Sequence, residues 1–185
     1  MFHVTPRLLL RPAWPEDAEA IHLGIADRGG DRGIVRNLAS APWPYSLDDA
    51  RAFVKRVQDP RLPSFLVTLP GPGGSQVIGG AGLGEDENGV ELGYWIARKF
   101  WGRGYATEAA RGVLDVARSL GHERLVACHF LDNPASGKVL RKIGFRPTGR
   151  VVKRFSCGRG EESDCVELTI DLSPARAQEL PLQAA

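Results

Sequence analysis

The sequence has no excess of charge, no long apolar run and too few cysteines for a covalent framework. Its 24 Lys and Arg against 22 Asp and Glu leave a net charge of +2. That supplies no field for holding nucleic acid or an anionic membrane, so neither is expected as a partner. A small anionic ligand would need only a local patch. Nowhere do apolar residues continue for the roughly 20 positions that cross a bilayer. The opening MFHVTPRLLLR lacks the long apolar segment of a secretory signal, so the expected location is the cytoplasm. Cys128, Cys157 and Cys165 are odd in number and spaced for neither a disulfide framework nor a zinc site. They are expected to be reduced thiols packed in strands. His129 stands beside Cys128 without a third ligand at metal spacing, which predicts a packed core histidine and no metal.

What the chain does have is enough apolar content, 43% of 185 residues, to bury one proper core. The expected organisation is a single domain over residues 1–172 and a loosely attached tail over 173–185. Arg7 to Arg11 is a short apolar run between prolines and predicts a first strand. From Pro15 onward, Ala18, Ile21 and Ile25 recur at helical spacing until DRGGDRG breaks the pattern. Ser46, with Asp49 three residues on, starts a second helix with a buried stripe of Ala50, Phe53, Val54 and Val57. Phe65 to Leu69, Val77 to Leu83 and Val90 to Ile96, divided by turn sequences, predict an antiparallel meander. The strongest helical pattern runs from Ala106 to Leu120 and stops at Gly121. A strand over Arg124 to Leu131, a helix over Pro134 to Ile143 closed by Gly144, and strands near Arg150 to Phe155 and Val166 to Leu172 complete a mixed α/β order. Trp43 and Tyr45 are expected to cover the core beneath a loop. VVKRF and the GRG at 158–160, followed at once by acids, predict a mixed solvated face.

Two glycines, Gly102 and Gly104, open the long helix in ARKFWGRGYATEA. A helix leaves the amides of its first turn unpaired and carries partial positive charge there, so glycines at that point let an anion approach the backbone. Arg103 adds a cation. For an isolated G-x-G, a plain strand-to-helix turn is the favoured account. Other phosphate motifs fail on the letters. The only Gly-Lys, Gly137-Lys138, is followed by Val139 rather than Ser or Thr, and GGAGLG at 79–84 runs into an acidic hairpin with no helix behind it. Asn133, with Pro134 behind it, has the form of an N-cap for the last helix.

GYWIARKFWGRGYATEA followed by DNPASGKVLRKIGF resembles the GNAT superfamily of N-acetyltransferases, in its RimJ/RimL-type branch of ribosomal-protein N-terminal acetyltransferases. The likeness extends back to TPRLLLRPAWPEDAEAI and over most of the chain. It implies a single-domain α/β GNAT fold, with a mixed, mostly antiparallel central sheet flanked by about four helices. It also implies acetyl-CoA as cosubstrate. The diphosphate motif falls on WGRGYA, where Gly104 and Ala106 match and Trp101 stands in the place of the commoner Gln or Arg. The resemblance therefore assigns the diphosphate of coenzyme A to the amides of Arg103, Gly104, Tyr105, Ala106 and Thr107. The backbone of Tyr94, Trp95 and Ile96 would pair with the pantetheine arm like an added strand.

The same resemblance makes Glu91 the candidate base, acting through a water, although a solvent-facing place in the alternation of Val90, Glu91 and Leu92 explains it as well. It gives Asn133 a contact with the cofactor arm, or with an ordered water beside it, besides its capping role. A Tyr seven residues after this Asn is the usual acid in the superfamily, and here that position is Leu140. Ser136, typical of the branch, offers its hydroxyl to the thioester sulfur, or is a spare hydroxyl in a first helical turn. The expected partners are acetyl-CoA and an amine acceptor, with a homodimer left open. A protein α-amino group, with pKa near 7.7–8.0, is neutral far more often than a lysine near 10.4, which favours an N-terminus as acceptor. Small-molecule amines and a non-catalytic acyl-CoA-binding module remain as alternatives, since acceptor choice lies in loops around 28–46 and 150–165.

Overall fold

A computed structural model describes residues 1–26 and 33–173. Most of DRGGDRG and the tail expected from 173 onward therefore lie outside the described residues. In chain order the elements are β1 (His3–Val4), β2 (Leu9–Arg11), α1 (Ala18–Ile25), α2 (Leu47–Val54), β3 (Ser64–Leu69), β4 (Gln76–Asp86), β5 (Gly89–Ile96), α3 (Tyr105–Ser119), β6 (Arg124–Phe130), α4 (Pro134–Lys142), β7 (Arg146–Ser156) and β8 (Glu161–Asp171). All eight strands form one sheet in the order β1-β2-β3-β4-β5-β6-β8-β7. Neighbours are antiparallel except β5 and β6, which run parallel across the crossover through α3. The mixed, mostly antiparallel sheet with four α-helices is the expected architecture.

Helices cover both faces, so the centre of β3, Phe65 to Val67, is apolar at consecutive positions. Phe65 and Val67 pack with Val113 and Leu114 of α3 in the larger cluster, whereas Leu66 packs with Ile21, Ile25 and Ala50 of α1 and α2 in the smaller. Tyr45 is buried in the smaller cluster, which places it over the core as expected, while Trp43 is more exposed. Ser46 caps α2 through Asp49 in a reciprocal capping box. The expected apolar stripe of α2 stops early, however. Val57 is 98% exposed because the helix ends at Val54 and the chain turns away before Pro60. β1 is absent from the sequence expectation; its two residues have too little pattern to register. β7 and β8 are longer than expected, since most side chains of β7 face solvent and give no apolar signal.

Arg11 and Asp17 form a bidentate ion pair at 2.7 Å, both nearly inaccessible to solvent, and the guanidinium also stacks 3.8 Å above the Trp14 ring. Removing one partner leaves a buried charge without its counterion. Asp17→Ala is expected to destabilise the fold by about 3–5 kcal/mol, read as a loss of urea midpoint.

Candidate active site

β5 and β6 share a single register pair, Glu91 with Val126. Beyond it they diverge, and a cleft of about 700 Å³ lies between them. Strand alternation distributes the β5 side chains to the two faces of the sheet. Leu92 and Ile96 join the α3 core, whereas Trp95 reaches α1, where a Cβ on Gly24 would come within 3.2 Å of its ring. Glu91, two residues from Gly93 and four from Trp95, faces the α1 side, and Tyr94 faces the α3 side. The gap is therefore a passage through the sheet, with different groups at its two mouths.

The α3 mouth is made for an anion. The helix begins after Gly104, whose φ is +79°, and Gly102 has φ +74°. Such left-handed backbone is what a side chain disfavours and glycine permits. The first intrahelical bond runs from the Glu108 N–H to the Gly104 carbonyl at 3.1 Å, which leaves the amides of Tyr105, Ala106 and Thr107 without intrahelical acceptors. Gly104 and these three residues border the cleft. Arg103 stands beside it, exposed, with its guanidinium 5.9 Å from the Phe100 ring. Arg7 steadies the turn, donating to the Arg103 carbonyl at 3.1 Å and pairing with Glu108 at 2.6 Å. Burial alone would raise the Glu108 carboxyl, but bonds from Thr5 and from the Arg7 amide and guanidinium hold it below its usual range. Trp101 occupies the position of the commoner Gln or Arg, and its indole N–H donates to the Ile96 carbonyl. The N–H of Ala97 bonds Ile78 on β4, so alternation turns the peptide groups of Tyr94 and Ile96 toward the cleft. The Ile96 carbonyl is thus already engaged, while Tyr94 lines the cleft beyond the last β5–β6 register pair.

α4 forms the other wall. Asn133 caps it, its side chain accepting from the Ser136 N–H at 3.3 Å. The Ser136 hydroxyl is not spare: it lies 2.8 Å from the Tyr94 hydroxyl, which also donates to the Ser136 carbonyl at 3.1 Å. Leu140 is buried. His129 is a packed core histidine. Its Nδ1 bonds the Phe130 carbonyl at 3.0 Å, and its Nε2 sits against Gly137, where a Cβ would approach it to 2.5 Å. Gly137→Ala is expected to cost about 1–3 kcal/mol by overpacking, measurable as a lowered Tm. No group of three His, Cys, Asp or Glu fit to hold a metal occurs among the described residues.

At the α1 mouth, Glu91 is 30% exposed, with Arg154 Nη2 at 3.9 Å. Cys128 and Cys165 lie on the same face, packed in strands as expected, whereas Cys157 is exposed in the turn after β7, a correction. The contact with Cys165 and then burial push the Cys128 thiol far up, so it stays protonated. A relay through an acyl-cysteine, which needs a thiolate, is therefore disfavoured. Ile34 and Leu38 add apolar walls from the first of the two segments expected to choose the acceptor, and Phe155 adds one from the second, which is a β7–β8 hairpin rather than a loop. Sequence reasoning missed Arg159, expected on a solvated face. Its side chain is only 10% exposed, bonds Asp132 at 2.8 Å and the Arg36 carbonyl at 2.7 Å, and lies 4.2 Å from the Phe130 ring centroid. Hydrogen bonding by Arg159, with Arg36 beside it, holds the Asp132 carboxyl below its usual range. The tie is complete at neutral pH and is lost as pH falls through that lowered value.

Residues 7–146 match the Acetyltransferase (GNAT) domain family, well over half of the chain. The chain is a GNAT acetyltransferase. It is 29% identical over 165 residues to YoaA, an uncharacterized N-acetyltransferase of Bacillus subtilis (strain 168), covering 86% of this chain and 90% of that protein. An acetyltransferase (GNAT family) from Bacillus anthracis has the same fold, with a TM-score of 0.75 at 26% identity over 94% of this chain and 100% of the other. RimL, a ribosomal L7/L12 α-N-protein acetyltransferase solved with coenzyme A, shares the fold with a TM-score of 0.73 at 19% identity, covering 92% of this chain and 98% of that one. GNAT acetyltransferases use acetyl-CoA. The unpaired amides, the two glycines and the open strand edge of this GNAT acetyltransferase fit that donor. No helix among the described residues is long and apolar enough to cross a membrane.

Proposed function

We propose that this GNAT acetyltransferase moves the acetyl group of acetyl-CoA to a protein N-terminal α-amino group, as a RimJ/RimL-type enzyme. The observation that carries the reading is the passage through the sheet, with anion-accepting amides at the α3 mouth and a carboxylate, Glu91, between apolar loops at the other. The amides of Arg103 to Thr107 hold the diphosphate, and the cleft-facing backbone of β5 holds the pantetheine arm. Asn133 fixes the start of α4 beside it. The acceptor enters from the side of Leu38 and Phe155, and Glu91 takes the amine proton, through a water, as the nitrogen–carbon bond forms. The carbon–sulfur bond then breaks with its electron pair on sulfur, where Ser136 presents its hydroxyl. An α-amino group suits a single carboxylate base because a large fraction of it is already neutral near pH 7.7–8.0.

Thiol release from acetyl-CoA, measured with N-terminal peptides, lysine side-chain peptides and small amines, tests the proposal. Turnover is expected with α-amino peptides and to exceed that with lysine at pH 7. Turnover with small amines alone would reassign the acceptor. Acetyl-CoA binding without turnover on any amine would reduce the protein to a binding module.

A further inference from the structure

Leu140 holds the place from which a tyrosine would meet the sulfur, yet a phenol reaches the same wall of the cleft from the opposite strand. Tyr94 Oη lies 3.1 Å from the Ser136 carbonyl oxygen and 2.8 Å from Ser136 Oγ. A carbonyl only accepts, and a phenol has one hydrogen. Two arrangements therefore satisfy the pair. In one, Tyr94 donates to the carbonyl and the Ser136 hydroxyl donates to the phenol oxygen. In the other, Tyr94 donates to Ser136 Oγ, and the Ser136 hydrogen is released to point into the cleft. They differ by rotation about two carbon–oxygen bonds. Asn133 meanwhile holds the Ser136 N–H at 3.3 Å, so the residue itself does not move.

Accepting the reading above, in which Ser136 faces the sulfur, we propose that Tyr94 is a positioning residue for the departing thiolate: its hydrogen passes from the Ser136 carbonyl to Ser136 Oγ as the carbon–sulfur bond breaks. The Ser136 hydrogen is thereby aimed at the sulfur. No proton changes owner. Burial pushes the Tyr94 phenol up to about 12, against the lowering effect of Ser136, and a thiolate whose conjugate acid lies near 8.5 is too weak a base to take it. The pair stabilises negative sulfur by hydrogen bonding alone. Thiolate takes its proton from solvent after release, and the amine proton leaves by way of Glu91.

Calorimetric binding of coenzyme A and of desulfo-coenzyme A from pH 7 to pH 9.5, on the wild type, Tyr94→Phe and Ser136→Ala, tests the proposal. In the wild type the affinity for coenzyme A, relative to the desulfo compound, is expected to rise by about 10-fold as the bound thiol ionises, which is what one hydrogen bond to a charged atom is worth. Tyr94→Phe is expected to lose most of that rise and about 10-fold in kcat, with KM for acetyl-CoA and desulfo-coenzyme A affinity within about twofold. The double variant should be no worse than either single one. If Tyr94→Phe keeps the pH-dependent rise while Ser136→Ala loses it, the role of Tyr94 is overturned and that of Ser136 stands. If Ser136→Ala keeps it, the sulfur contact itself is wrong. Equal weakening of desulfo-coenzyme A in Tyr94→Phe would reduce Tyr94 to packing and also overturn the proposal.

Discussion

Replacing Glu91 by glutamine is expected to lower kcat/KM for the amine by about 100- to 10,000-fold, the range a positioned general base contributes. Glutamine keeps the shape and removes the capacity to take a proton. The carboxylate is 30% exposed, open enough for water to bridge it to an incoming amine, so a minor rearrangement does not replace it. On the proposed reading acetyl-CoA binds at the other mouth, so its affinity should stay within about twofold, which separates chemistry from folding. The variant's remaining rate should rise with pH only as the acceptor amine loses its proton. Undiminished turnover would make Glu91 a solvated strand residue and move the base elsewhere in the cleft.

Gly104→Val is expected to weaken acetyl-CoA binding by on the order of 100-fold, two powers of ten or about 2.7 kcal/mol. A left-handed backbone costs a residue with a Cβ roughly 1–2 kcal/mol, and a valine side chain would stand among the amides proposed to hold the diphosphate. In the free protein that Cβ meets nothing nearer than Arg7 Nη2 at 3.5 Å. The cost to the free fold is therefore backbone strain rather than a clash at the Cβ, and it lowers Tm, whereas the ligand also loses the space beside the amides. Gly104→Ala supplies the control, since it carries the same backbone cost with less bulk: its Tm should fall with that of the valine variant while its affinity lies between glycine and valine. Calorimetric Kd values near that of the wild type in both variants would remove the diphosphate from the start of α3.

The comparison of sequence with structure turns on which groups are local. The start of α3, the Asn133 cap and the Ser46 capping box each involve residues within a few positions of one another, and all were legible. So was the packed His129, from the want of a third metal ligand. Val57 misled because apolar spacing continues past the point where the chain leaves the core. Arg159 misled because its neighbours in sequence are polar, whereas its partners are Asp132 and Arg36, far away in the chain. Tyr94 and Ser136 are 42 residues apart, and nothing in either segment indicates that their hydroxyls meet.

The sequence by itself determined the class of the protein: the alternation of strands and helices, the unpaired amides behind Gly104 and the motif pair that resembles a GNAT enzyme. These are short-range properties, written in periodicity and in what a single backbone position tolerates. Only the tertiary structure decided that β5 and β6 part after Glu91, that Glu91 and Tyr94 fall at opposite mouths of the opening, and that Tyr94 engages Ser136. A strand's alternation sends neighbouring side chains to opposite faces, but what waits on each face is set by which distant segments the sheet brings alongside.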